Sequence, residues 1–168
     1  MQDDDVLIEI HATGVNPLDT KIRSGDFKLI LPYRMPLILG NDVAGVVVRI
    51  RARVSRFTPG EEVYARPDQN RIGGFAERIA IEKSSLALKP RNLDMAQAAS
   101  LPLVALTAWP LKQVIPALSW RIRRQARQRS VGYDFVFMRA DGEQLGEITA
   151  LVERRHHQAS GGQRLSAG

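Results

Sequence analysis

Leu39-Gly40-Asn41-Asp42-Val43-Ala44-Gly45-Val46-Val47-Val48-Arg49-Ile50 carries the strongest structural signal in this 168-residue chain. From Val43 onward β-branched side chains crowd the stretch and predict a strand. Gly40 and Gly45 stand at its start, where the lack of a Cβ permits a tight turn or the close approach of another backbone. Toward the N-terminus, Val6–Ala12 predicts another strand, ended by Gly14. Asn16-Pro17-Leu18-Asp19 is turn chemistry, because Pro fixes φ while Asn and Asp bond nearby backbone; it opens a short helix. Residues 28–39 carry Pro32 and Pro36 and predict an irregular, partly buried loop. Toward the C-terminus, Thr58-Pro59-Gly60 is a turn and Glu62-Val63-Tyr64-Ala65 a third strand. Phe75–Ile81 alternates well enough for a fourth, and Leu86–Leu88 is a short fifth stopped by Pro90. Short strands at regular spacing with Gly/Pro turns predict a small β-barrel or sandwich.

The pattern then changes. Asp94 can N-cap a helix over Met95–Leu101, with Pro102 bending or breaking it and a second helical piece over Val104–Trp109. A basic helix is expected near 116–129 and a strand over 133–138. Asp141-Gly142-Glu143 opens a helix over 142–153, with Leu145, Ile148 and Leu151 or Val152 on its apolar face. From Arg155 the chain is polar and predicts a disordered tail.

Composition bounds the function. The chain is 44% hydrophobic and 25% charged, ordinary for a globular protein. It has no cysteine, which excludes disulfides, thiol nucleophiles and thiolate metal sites. No run of 18 uncharged apolar residues predicts a membrane span, and Asp3-Asp4-Asp5 opposes a secretory signal, so a cytoplasmic location is expected. The net charge of +6 is uneven: residues 1–109 hold 14 basic and 13 acidic residues, residues 110–168 hold 10 and 5. Arg121, Arg123, Arg124, Arg127 and Arg129 form the basic cluster, but no groove-reading element accompanies it, and no nucleic-acid partner is expected.

Taken singly these motifs are common turn and strand chemistry. In order they are specific: Gly14-Val15-Asn16-Pro17-x-Asp19, Arg23-x-Gly25, Leu39-Gly40-x-Asp42-x-Ala44-Gly45-x-Val47, Pro59-Gly60-x-x-Val63-Tyr64-Ala65, Gly74 with Ala76-Glu77, Ala98-Ala99-Ser100-Leu101-Pro102 and Ala105–Trp109. Residues 5–109 resemble the N-terminal, chaperonin-10-like (GroES-like) half of the medium-chain dehydrogenase/reductases, in the zinc-independent, NADPH-dependent quinone oxidoreductase branch. The resemblance implies an α+β chain: a GroES-like β-barrel domain, then over 110–154 a short helical and strand remnant of the second domain. It also implies hydride transfer from NADPH to a quinone or enone, in a cleft where Asn16, Asp19 and Arg23 face the nicotinamide. Asn16 would donate a hydrogen bond there, and Arg23 would orient Asp19 or a phosphate. Zinc-dependent relatives carry Cys after the first strand and Gly-His-Glu at the place of Gly40-Asn41-Asp42. Asn16 and Asn41 stand here instead, and amides are poor zinc ligands, so no zinc is expected.

The family's cofactor domain needs a Gly-rich turn between strand and helix to hold the pyrophosphate. None stands in this chain, whose sequence passes near Pro110 to segments resembling the far side of that domain. An internal deletion is the reading, with NADPH not bound by this chain alone. One codon choice for Arg155–Gly168, shifted by one base, encodes Gly-Thr-Ile-Lys-Pro-Val-Val-Asp-Ser-Val-Phe-Pro-Leu, the family's usual continuation, so the tail reads as frameshifted. The lone strand 133–138, left without its sheet, would offer an edge for a homodimer. The alternative to a reductase fragment is a non-enzymatic β-domain acting in oligomerisation or regulation.

Overall fold

The computed structural model describes residues 1–26, 28, 33–108 and 140–161. Five strands, β1 (Asp5–Gly14), β2 (Asp42–Ile50), β3 (Glu62–Ala65), β4 (Arg78–Glu82) and β5 (Leu86–Leu88), form one sheet in the order β4-β1-β2-β3-β5. All four pairings are antiparallel. Alternate residues of β1 and β2 turn Val6, Ile8, Val43 and Val47 into a core with Phe57, Val63 and Leu86, and each of these is at most 1% exposed. Two register shifts in β1, at Leu7/Ile8 and Ile10/Ala12, bend the long strand.

The helices are α1 (Pro17–Ser24), α2 (Met95–Ala99), α3 (residues 102–108) and α4 (Gly142–Gly161). Asp94 caps α2, accepting from the Gln97 N–H at 2.7 Å, while the Gln97 side chain accepts from the Asp94 N–H at 3.0 Å. Pro102 opens α3, where its missing N–H costs nothing. The expected helix therefore breaks at Ser100–Leu101, just before the proline.

Two expectations are corrected. Strand β4 begins at Arg78 rather than Phe75, because the backbone of Gly74 and Phe75 bonds back to Gly40 and Leu39 (3.0 and 2.8 Å) instead of extending the sheet. Helix α4 runs past residue 153 to Gly161, through the first part of the stretch expected to be disordered. Extending an existing helix adds a backbone bond per residue, and no Gly or Pro stands between Gly146 and Gly161.

Residues 142–154, expected as a remnant of the second domain, pack directly against the sheet. Leu145 and Ile148 of α4 join Ala44, Tyr64, Ala87, Ala98, Ala99 and Leu106 in a second core, with Val152, not the more exposed Leu151, packed at its margin. Buried Tyr64 donates its hydroxyl to the Leu145 carbonyl at 2.7 Å. Thr149 donates to the Leu88 carbonyl at 3.0 Å, and Glu153 accepts from the Arg91 N–H at 2.9 Å. A Cβ on Gly142 would overlap the Leu86 carbonyl, so glycine is what lets α4 start directly against β5. The expected helix at 116–129 and strand at 133–138, with its dimer edge, lie outside the described residues.

Candidate functional site

Strands β1, β2 and β3 end side by side: Gly14 pairs with Asp42, and Val43 with Ala65. Asn16 and Pro17 turn the chain from β1 into α1, with Asn16 in an extended conformation and Pro17 at the first helical position. Gly40, at φ 110°, turns the chain into β2, and a Cβ there would lie 2.6 Å from the Phe75 nitrogen. Sheet pairing thus brings residues 16–19 and 40–42 together.

Their side chains clasp each other. Asn16 donates from Nδ2 to Asp42 Oδ2 at 2.8 Å, and Asn41 donates from Nδ2 to Asp19 Oδ1 at 2.8 Å. Asp19 also accepts from the Gly40 N–H at 3.1 Å and, through Oδ2, from the Asn16 N–H at 2.8 Å. Asp42 Oδ1 accepts from the Leu103 N–H at 2.7 Å, which ties the start of α3 to the clasp. Thr13 donates to the Asp42 carbonyl at 2.6 Å. Both carboxylates are at most 2% exposed. Burial pushes Asp42 up to about 6, against the opposing pull of the Asn16 and Leu103 donors.

Two buried polar atoms in this region, Asn41 Oδ1 and Arg66 Nε, lack hydrogen-bond partners among the described residues. Arg66 follows β3 and is buried, and burial lowers its pKa. Tyr33 lies within its electrostatic reach, its phenol pushed upward by burial.

Of the three expected site residues, the structure brings Asn16 and Asp19 together and leaves Arg23 outside. Arg23 is exposed in the last turn of α1 and does not orient Asp19. The two are one turn apart and could have paired, but Asp19 turns its carboxylate inward to three N–H groups of the protein while Arg23 stays exposed. Sequence reasoning also passed over Asp42 as a site residue, and Arg66 altogether. Both had a signal: an ionisable residue at the end of a mostly apolar run, Asp42 before Val43–Val48 and Arg66 after Val63-Tyr64-Ala65.

All of residues 2–91 match the alcohol dehydrogenase GroES-like domain. The chain belongs to that family. It is 43% identical over 114 residues to the chloroplastic NADPH-dependent alkenal/one oxidoreductase of Arabidopsis thaliana, covering 64% of this chain and 29% of that protein. It is 42% identical over 115 residues to the 2-methylene-furan-3-one reductase of Solanum lycopersicum, covering 65% and 29%. The solved quinone oxidoreductase of Coxiella burnetii superposes with a TM-score of 0.62 at 30% identity, over 67% of this chain and 37% of that one. These relatives put the GroES-like domain in the quinone oxidoreductase-like branch of the medium-chain dehydrogenase/reductases, and the chain spans about 29% of the curated relatives' length.

The clasp does not suit zinc. Both asparagine amide N–H groups are spent on carboxylates, and among the described residues no group of three or more His, Cys, Asp or Glu side chains could hold a metal ion. Nor do the described residues suit a dinucleotide. With every strand pairing antiparallel, they contain no parallel strand–turn–helix unit whose N–H groups could take a pyrophosphate.

Proposed function

We propose that this chain is the carbonyl-side half of an NADPH-dependent reductase of quinones or enones, and that alone it neither binds NADPH at micromolar levels nor turns over. The observation carrying this reading is the buried clasp of Asn16, Asp19, Asn41 and Asp42 at the adjacent ends of β1 and β2. The resemblance assigns the segment of Asn16 and Asp19 to the cleft wall facing the nicotinamide, and a preorganised polar wall is what orients a substrate for hydride transfer. The printed names of the Arabidopsis and tomato relatives, an alkenal/one oxidoreductase and a reductase of a methylene-furanone, support an enone class. Position errors of ~1 Å can cost ~100-fold in rate, so a wall without a cofactor opposite it is silent.

Two arms test this. The chain alone, with NADPH and a simple quinone, should show no oxidation above Asn16→Ala and Asp19→Ala controls. Turnover abolished by those substitutions would sink the claim of inactivity. A chimera carrying the Arabidopsis relative's cofactor domain between Trp109 and Pro110 should regain enone reduction. A folded, NADPH-binding chimera that reduces neither enones nor quinones would sink the reductase reading itself.

A further inference from the structure

Arg66 is expensive and unexplained. It is 4% exposed, and among the described residues its guanidinium makes no hydrogen bond and no ion pair. Buried donors without hydrogen-bond partners are among the costlier features of a fold. The register places it: Val43 pairs with Ala65, so Arg66 stands across from Asp42 at the strand ends that carry the clasp. Its neighbours within electrostatic reach are Asp42, Tyr33 and Asp68. Asp42 and Asp68 offset its charge without bonding it, and buried donors left open in this way are expected where a residue serves function.

The surroundings say what it receives. Five N–H donors in a fixed fork need acceptor oxygens, and none comes from the described protein. Asp42 and Asp68 already set negative charge nearby, so a full anion would be opposed. A neutral carbonyl oxygen accepts the same hydrogen bonds without that penalty.

We propose that Arg66 is the hydrogen-bond donor for the carbonyl oxygen of a neutral enone or quinone at the adjoining ends of β2 and β3, a role that rests on the reductase reading above. The full chain is titrated with cyclohex-2-en-1-one labelled with carbon-13 at the carbonyl, read by the carbon-13 shift and the infrared carbonyl stretch. Binding on the order of millimolar is expected, with the stretch lowered relative to water. In Arg66→Met binding should weaken at least ~10-fold and the lowered stretch should vanish, as for loss of a bond to a charged group. Arg66→Lys should keep part of both.

Arg66→Met removes the counter-charge of buried Asp42, so its thermal midpoint should fall, while Arg66→Lys keeps the charge and separates lost binding from lost fold. Equal enone binding by the wild type and Arg66→Met would overturn the proposal, as would no enone binding by the wild type in the millimolar range. Acetate bound more tightly than the enone, and lost in Arg66→Met, would make the site an anion site and equally overturn it. None of these readouts uses NADPH or turnover, so their failure leaves the reductase reading to the chimera.

Discussion

Two buried carboxylates respond to pH in opposite directions. Asp42 titrates near 6 in the fold and near 3.8 unfolded, because burial disfavours its charge. Its uncharged form is thus favoured by folding, so its contribution is full below about pH 4 and is lost as pH rises through about 6, a change of ~3 kcal/mol. Chemical denaturation of wild type and Asp42→Asn between pH 4 and 7 should show the variant gaining on the wild type by about that amount as pH rises; a constant difference would refute it. Asp5 behaves the other way. Its side chain is fully buried, and Arg71 grips it through two bonds of 2.8 Å, holding its carboxyl below the usual range. That contribution is present above about pH 4 and lost as pH falls through the lowered value. Arg71→Gln should cost ~2–3 kcal/mol at pH 7, since it strands a buried carboxylate, and much less near pH 3. Equal losses at both pH values would contradict this.

At the scale of elements, the contact between α4 and β5 is the sharpest constraint. Gly142 has no room for a methyl group beside the Leu86 carbonyl, and the backbone it would displace carries both the helix start and the edge strand. Gly142→Ala should destabilise by ~2 kcal/mol or more, although alanine favours helices by up to ~1 kcal/mol over glycine. Urea unfolding checks it; a variant as stable as wild type would mean that α4 does not seat here. Tyr64 belongs to the same joint. Burial pushes its phenol up to about 12, and its hydroxyl serves the Leu145 carbonyl and Thr149.

For the whole molecule, the two cores make residues 142–154 part of the GroES-like unit rather than an appendage. Truncation before Asp141 would expose Ala44, Ala87 and Ala98, leave the Tyr64 hydroxyl without its acceptors, and uncover the side of β5 that α4 covers. The truncated chain should lose cooperative unfolding or several degrees of midpoint, and be cleaved faster by protease near β5. Equal midpoints for the two chains would show that α4 adds nothing to the fold.

The sequence alone determined the strands, the α2 cap and the position of the clasp segments, because these rest on local rules: β-branched alternation, Asp94 three residues before Gln97, glycine and proline at turns. It also determined that the chain has no thiolate zinc ligand, because it has no cysteine. Tertiary structure decided the rest. Residues 16–19 and 40–42 are far apart in the chain, and only the antiparallel pairing of β1 and β2 lets Asn16 reach Asp42 and Asn41 reach Asp19. The same contacts turn Asp19 inward, away from Arg23, which stays exposed one turn further along α1. Arg66 and α4 were hidden for the same reason: burial is set by what packs around a residue, and the partners of β3 and β5 come from elements remote in sequence.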